Sequence, residues 1–136
     1  MNYILDTNII TAYMRDDEKI RMKLKEIVIY GKKVFISGMS YYEIKRGLLA
    51  KKATKQLNIF NELCRKIRIL FLDNQEIFDR ASEIYADLKQ RGELISDADI
   101  LIAATALARD LILVSDDSDF LRIKDVTVEN WLKMNS

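Results

Sequence analysis

At 136 residues, 49% hydrophobic and 32% charged, the chain has the size and composition of one compact globular domain, which excludes a disordered segment. The absence of histidine excludes Ser-His-Asp and Cys-His catalysis and every imidazole-bound zinc site, and a single cysteine, Cys64, excludes an internal disulfide. The net charge of +1 conceals an asymmetry: residues 19–68 carry fourteen Lys or Arg against Glu26, Glu43 and Glu62, whereas residues 69–136 carry seven against fourteen acids. A polyanionic partner beside an acid-rich site and a set of solvated basic helix faces both fit that pattern.

In chain order, the apolar run Tyr3–Leu5 reads as a strand that closes on Asp6, and helical patterns follow near 8–14 and 17–30. Val34–Ile36 is a second strand. Ser40 and Glu43 then have the spacing of a capping box, with Met39 and Ile44 as its hydrophobic staple, and open a helix over 40–50. A helix over 53–66 carries Cys64 as an inert, half-buried thiol, and Ile67–Leu72 is another strand. Asp73 with Glu76, stapled by Leu72 and Ile77, opens a helix over 74–91. Ser96 with Asp99, stapled by Ile95 and Ile100, opens one over 97–109 that is apolar almost all round and is expected to be the most buried. Leu111–Val114 is the last clear strand. Continuous apolar strands alternating with helices predict an α/β sandwich with a mostly parallel sheet. No apolar run approaches the roughly 18–20 residues that cross a bilayer, and the opening MNYILDTN has neither a basic region nor a cleavage-like site, so the expected location is cytoplasmic.

Parallel strands end, and the helices after them begin, on one edge, where ligands bind. Asp6, the cluster Asp116, Asp117 and Asp119, and first-turn residues Glu43 and Asp99 therefore have a route to a common edge from four distant segments. Each has a rival explanation. Asp6 could cap the next helix, Glu43 and Asp99 hold the third position of capping boxes, and 116–119 could be a polar turn. Asp97 and Asp99 stand about 200° apart around a helix and do not share a face. Two carboxylates about 4 Å apart repel by roughly 4 kcal/mol at an effective dielectric near 20, so a convergent set needs cations or raised pKa values. An all-oxygen donor set suits Mg²⁺ or Mn²⁺, and phosphodiester hydrolysis is one of few chemistries open to it.

The motifs Leu5-Asp6-Thr7-Asn8, Ser40-Tyr41-Tyr42-Glu43-Ile44-Lys45-Arg46-Gly47, Asp99-Ile100-Leu101-Ile102-Ala103-Ala104 and Val114-Ser115-Asp116-Asp117-Ser118-Asp119-Phe120 resemble, in order and spacing, those of the PIN-domain ribonucleases. The likeness is strongest to the VapC-type toxins of VapBC toxin–antitoxin pairs, and it spans residue 4 to about 120. It implies a PIN-like three-layer sandwich over residues 1–136 as a single domain, and a metal-dependent endoribonuclease. Asp6, Glu43, Asp99 and Asp117 would be the catalytic metal ligands, with Thr7, Asn8, Ser115 and Asp119 orienting them. It further implies a homodimer, a VapB-type antitoxin as partner, and RNA, transfer RNA among the candidates, as substrate. Lys45 and Arg46 stand where they could reach phosphates, or could simply be solvated; Tyr41, Tyr42, Ile44, Leu48 and Leu49 are expected to pack in the core. A haloacid-dehalogenase-type phosphotransferase wants an acid two positions after Asp6, where Asn8 stands. A receiver domain wants a late-strand lysine that Leu111–Ser115 lacks. A non-catalytic RNA-binding module on the same fold is the remaining alternative, and the intact acids argue against it.

Overall fold

The computed structural model describes residues 1–133. Strand β1 (Asn2–Leu5) is followed by helices α1 (Thr7–Met14) and α2 (Glu18–Ile29), then by β2 (Val34–Ser37), α3 (Gly38–Ala50), α4 (Thr54–Lys66) and β3 (Arg68–Leu70). The chain continues through α5 (Gln75–Gln90), α6 (Asp97–Arg109), β4 (Leu111–Val114), a 3-10 turn at Ser118–Arg122 and β5 (Val128–Glu129). The strands form one sheet in the order β3-β2-β1-β4-β5, and every neighbouring pair is parallel. This is the expected α/β sandwich, and its sheet is parallel throughout. β5 was not expected: only two residues of it pair with β4, too few to leave an apolar run.

The strand period of two sorts the core into two halves. On β1, Leu5 packs with Ile9, Ile10, Ile36, Phe60 and Trp131 under α1–α4, while its neighbour Ile4 packs with Ile77, Leu88, Ile102, Leu113 and Phe120 under α5 and α6. Both residues are fully buried, so β1 is the spine of the molecule. α6 buries residues around most of its circumference, Ile100, Ile102, Ala103, Ala104, Thr105 and Ala106, as its composition predicted. On α3, Ile44 is buried and Tyr41 and Leu48 pack against the core, but Tyr42 and Leu49 are 56% and 54% exposed, contrary to expectation. The helix rests on the sheet by a narrower face than its apolar content suggested.

Two helix starts differ from the predicted capping boxes. α3 begins directly after β2, and its cap is Ser37, whose Oγ accepts the Ser40 N–H at 3.0 Å. Glu43 therefore lies in the second turn of α3, where a capping role does not account for it. α5 is capped by Asn74, which accepts the Glu76 N–H at 2.7 Å, and Asp73 pairs with Arg109 at 3.2 Å instead. α6 starts as predicted, with Ser96 Oγ accepting the Asp99 N–H at 3.2 Å.

Candidate acidic site

The carboxyl ends of β1, β2 and β4 lie together, and beyond them opens a cavity of about 620 Å³ whose lining includes Asp6, Glu43, Asp99 and Asp117. Asp6 enters from the end of β1 and is 5% exposed. It occupies the N-cap position of α1, yet makes no side-chain capping bond there. Instead the Ser115 hydroxyl donates to its Oδ2 at 2.9 Å, and Ser115 Oγ accepts the Asp117 N–H at 3.0 Å. One buried hydroxyl thus fixes the acid after β1 to the loop after β4.

A second hydroxyl ties α1 to α3. Thr7 Oγ1 lies 3.0 Å from Ser40 Oγ and 3.4 Å from Glu43 Oε1, and the Ser37 hydroxyl is 3.3 Å from Ser40 Oγ. Asn8 Oδ1 accepts the Asp116 N–H at 3.4 Å, holding the start of the acidic loop over α1. Within that loop Asp117 caps the 3-10 turn, its Oδ1 accepting the Asp119 N–H at 2.9 Å.

The three acids of the loop take different roles. Asp99, Asp117 and Asp119 each present an oxygen within 4.8 Å of the others, close enough to share one cation. Asp116 turns away, accepting from Asn130 Nδ2 at 2.7 Å and facing Lys133 Nζ at 3.7 Å. Asp119 also faces Arg122 at 3.4 Å. Asp97 is exposed and takes no part in the cavity lining.

The crowding of acids is written in their affinities for protons. Burial, with Asp99 and Asp117 adding to it against hydrogen bonding from Thr7 and Ser115, raises the Asp6 carboxyl from 3.8 to about 6. Burial also raises Asp99, a Ser96 hydrogen bond opposes it, and the charges of Asp117, Glu43 and Asp119 add to the rise. Among the described residues, none of Asp6, Glu43, Asp99 and Asp117 forms an ion pair with a lysine or arginine. One buried and three half-buried carboxylates with no ion-paired lysine or arginine fit a divalent ion as counter-charge.

The model of the PIN domain family matches residues 3–126. The chain belongs to the PIN domain family. Ribonuclease VapC1 of Methanocaldococcus jannaschii is 34% identical to it over 123 residues, covering 90% of this chain and 81% of its own. The structure of VapBC2 from Rickettsia felis bound to a DNA fragment from its promoter gives a TM-score of 0.90 at 25% identity, over 96% of this chain and 99% of that one. VapBC-1 from nontypeable Haemophilus influenzae gives 0.87 at 26% identity, over 98% and 100%.

In this PIN domain the residues singled out from sequence divide sharply by place. Asp6, Thr7, Asn8, Glu43, Asp99 and Asp117 line the cavity, while Ser115 and Asp119 are bonded to or beside those acids. Lys45 and Arg46 do not line it: Lys45 Nζ donates to Tyr41 Oη at 2.9 Å, and the Arg46 guanidinium lies over the Tyr42 ring at 4.9 Å. Sequence reasoning missed Ser37 as a support and saw in Ser40 only a helix cap; both are fully buried beneath Thr7 and Glu43. It also missed Thr11 and Arg15, which line the same cavity four and eight residues after Thr7. Their helical spacing was the available signal.

Proposed function

We propose that this PIN domain is a Mg²⁺- or Mn²⁺-dependent endoribonuclease acting as the toxin of a type II toxin–antitoxin pair. The observation that carries the reading is one cavity in which four acids from four segments meet, none of them ion-paired to a lysine or arginine among the described residues. Asp6, Glu43, Asp99 and Asp117 would hold the cation, with Asp119 within reach of the last two. When bound, the ion neutralises the clustered charge and supplies an acidified water and a charge-stabilised leaving oxygen for phosphodiester hydrolysis.

The chain's own residues fix this arrangement before any ligand arrives. Ser115 holds Asp6 and the Asp117 backbone in register, and Thr7, backed by Ser40 and Ser37, holds Glu43 toward the cavity. The ribonuclease names of the relatives, and the VapBC complexes among the structural neighbours, support the extension to RNA cleavage and to control by a VapB-type antitoxin. We extend the reading to a homodimer and to a single domain over the whole chain, with single-stranded or looped RNA, such as that of transfer RNA, as substrate, because its backbone can bend into a crowded site.

The test is inducible expression of wild type and Asp99→Asn in a bacterium, with growth followed and the 5′ ends of all RNAs sequenced. Growth arrest and discrete new ends with the wild type alone uphold the reading. Equal arrest by both proteins refutes a metal-site nuclease and favours a module that acts by binding. Purified wild type should lose cleavage in a chelator and regain it with Mn²⁺.

A further inference from the structure

The cavity is longer than its acids require. From Asp6 it follows one face of α1, lined in turn by Thr7, Asn8, Thr11, Ala12 and Arg15. At 1.5 Å per residue, Asp6 and Arg15 stand about 13 Å apart along the helix, on the order of two phosphate steps of an extended single strand. The two ends differ in charge: Asp6, Glu43, Asp99 and Asp117 crowd the first, whereas the second has Arg15, the one cation among the lining residues, and a single acid, Asp17. The stretch between them is neutral, and the Thr11 hydroxyl is turned inward to the Thr7 carbonyl at 3.0 Å.

The Arg15 side chain is also unspent. It is exposed and, among the described residues, has no ion-pair partner. Its neighbours are committed elsewhere: Arg21 pairs with Asp16 at 2.8 Å and covers the Tyr13 ring at 4.2 Å, and Asp17 caps α2 by accepting the Ile20 N–H at 3.1 Å. Lys19 Nζ, donating to the Leu132 carbonyl at 3.4 Å, adds positive charge near the Leu132 wall. A guanidinium held free at the mouth of a cavity is suited to a phosphate, which it grips with two parallel N–H donors.

We propose that Arg15 docks a backbone phosphate of the RNA strand one or two linkages from the bond that is cut. The inference rests on the ribonuclease reading for the identity of the strand. α1 then acts as a ruler: the scissile linkage is set at the acids, and Arg15 sets the strand's course along the helix. Arg15 is a positioning residue, so its contribution falls on binding and not on the chemical step.

The test compares wild type, Arg15→Ala, Arg15→Lys and, as a control cation outside the cavity, Lys124→Ala. Binding of fluorescent polyuridine is measured by anisotropy across a salt series, in an Asp99→Asn background so that no cleavage intervenes. Arg15→Ala should bind about tenfold more weakly and show a salt slope smaller by about 0.7, the single-strand value for one phosphate contact. Arg15→Lys should recover most of the affinity, and Lys124→Ala should match its parent. With active enzyme and an oligonucleotide built on a mapped cleavage site, Arg15→Ala should raise KM about tenfold and leave kcat within about twofold. A neutral methylphosphonate placed at one linkage beside the cut should weaken wild type and leave Arg15→Ala unaffected. Unchanged binding and salt slope in Arg15→Ala overturn the proposal, as does a fall in kcat at constant KM. Should wild type cleave no RNA while Arg15→Ala still loses polyuridine affinity, the nuclease reading fails and the docking point stands.

Discussion

Replacing Asp6 by Asn should stabilise the metal-free protein, an unusual outcome for the most buried acid of the candidate site. Asp6 is 5% exposed, and burial together with Asp99 and Asp117 lifts its carboxyl from 3.8 to about 6. Because the folded value is the higher one, the cost follows a definite direction. Below about pH 4 the group is protonated in both folded and unfolded chains and costs nothing; as pH rises toward 6 the unfolded chain releases its proton first and stability falls; above that the loss is complete. The interval from 3.8 to about 6, at roughly 1.4 kcal/mol per pH unit, amounts to about 3 kcal/mol. For a domain of this length that is a shift of ~10 °C in Tm, reduced by whatever the Ser115 hydrogen bond loses on meeting an amide oxygen in place of a carboxylate. Differential scanning calorimetry in EDTA should show Asp6→Asn melting several degrees above wild type at about pH 7.5, with the gap closing near pH 4. Adding Mn²⁺ should reverse the order, since only the wild type retains the full set of proposed ligands. A variant that melts at or below wild type in EDTA at the higher pH, or a gap indifferent to pH, would refute the reasoning.

Ser115→Ala removes the hydroxyl shared by Asp6 and the Asp117 N–H; cleavage and Mn²⁺ affinity should each fall about 10–100-fold with little change in secondary structure, measured by initial rates and isothermal titration. Asp116→Asn, whose side chain faces Asn130 and Lys133, should retain Mn²⁺ affinity, whereas Asp117→Asn should lose it; equal loss in both would overturn the division of roles within the loop. Trp131→Ala empties a fully packed position against Tyr3, with ring centroids 5.5 Å apart, and should cost about 3–5 kcal/mol by urea denaturation.

The sequence made the strand and helix order legible because continuous apolar runs and punctuating caps are local signals. It made Asp6, Glu43, Asp99 and Asp117 legible because motifs in order carry more than position does. What escaped it depends on tertiary contacts. β5 exists only because Val128 and Glu129 find β4. Ser37 outcompetes Ser40 as the cap of α3 because β2 runs straight into the helix, which frees the Ser40 hydroxyl for Thr7. The separate fates of Asp116, Asp117 and Asp119 follow from Asn130, the 3-10 turn and Asp99, none of which periodicity encodes. Tyr42 and Leu49 were misjudged because helical apolarity does not say how wide a face the sheet will cover.

The central place of β1 has a bearing on synthesis. Its four residues are made before both of the strands they pair with, β2 on one side and β4 on the other, whose last partner to Leu5 is Val114. Until Leu111–Val114 has emerged, the first strand lacks half its ladder, and Asp6 lacks both the Ser115 hydroxyl and the Asp117 charge beside it. A nascent chain shorter than that holds three of its acids with no loop to complete them. The acidic site is thereby completed only by the segment made after α6, once all the helices that pack on the sheet are already in place to receive it.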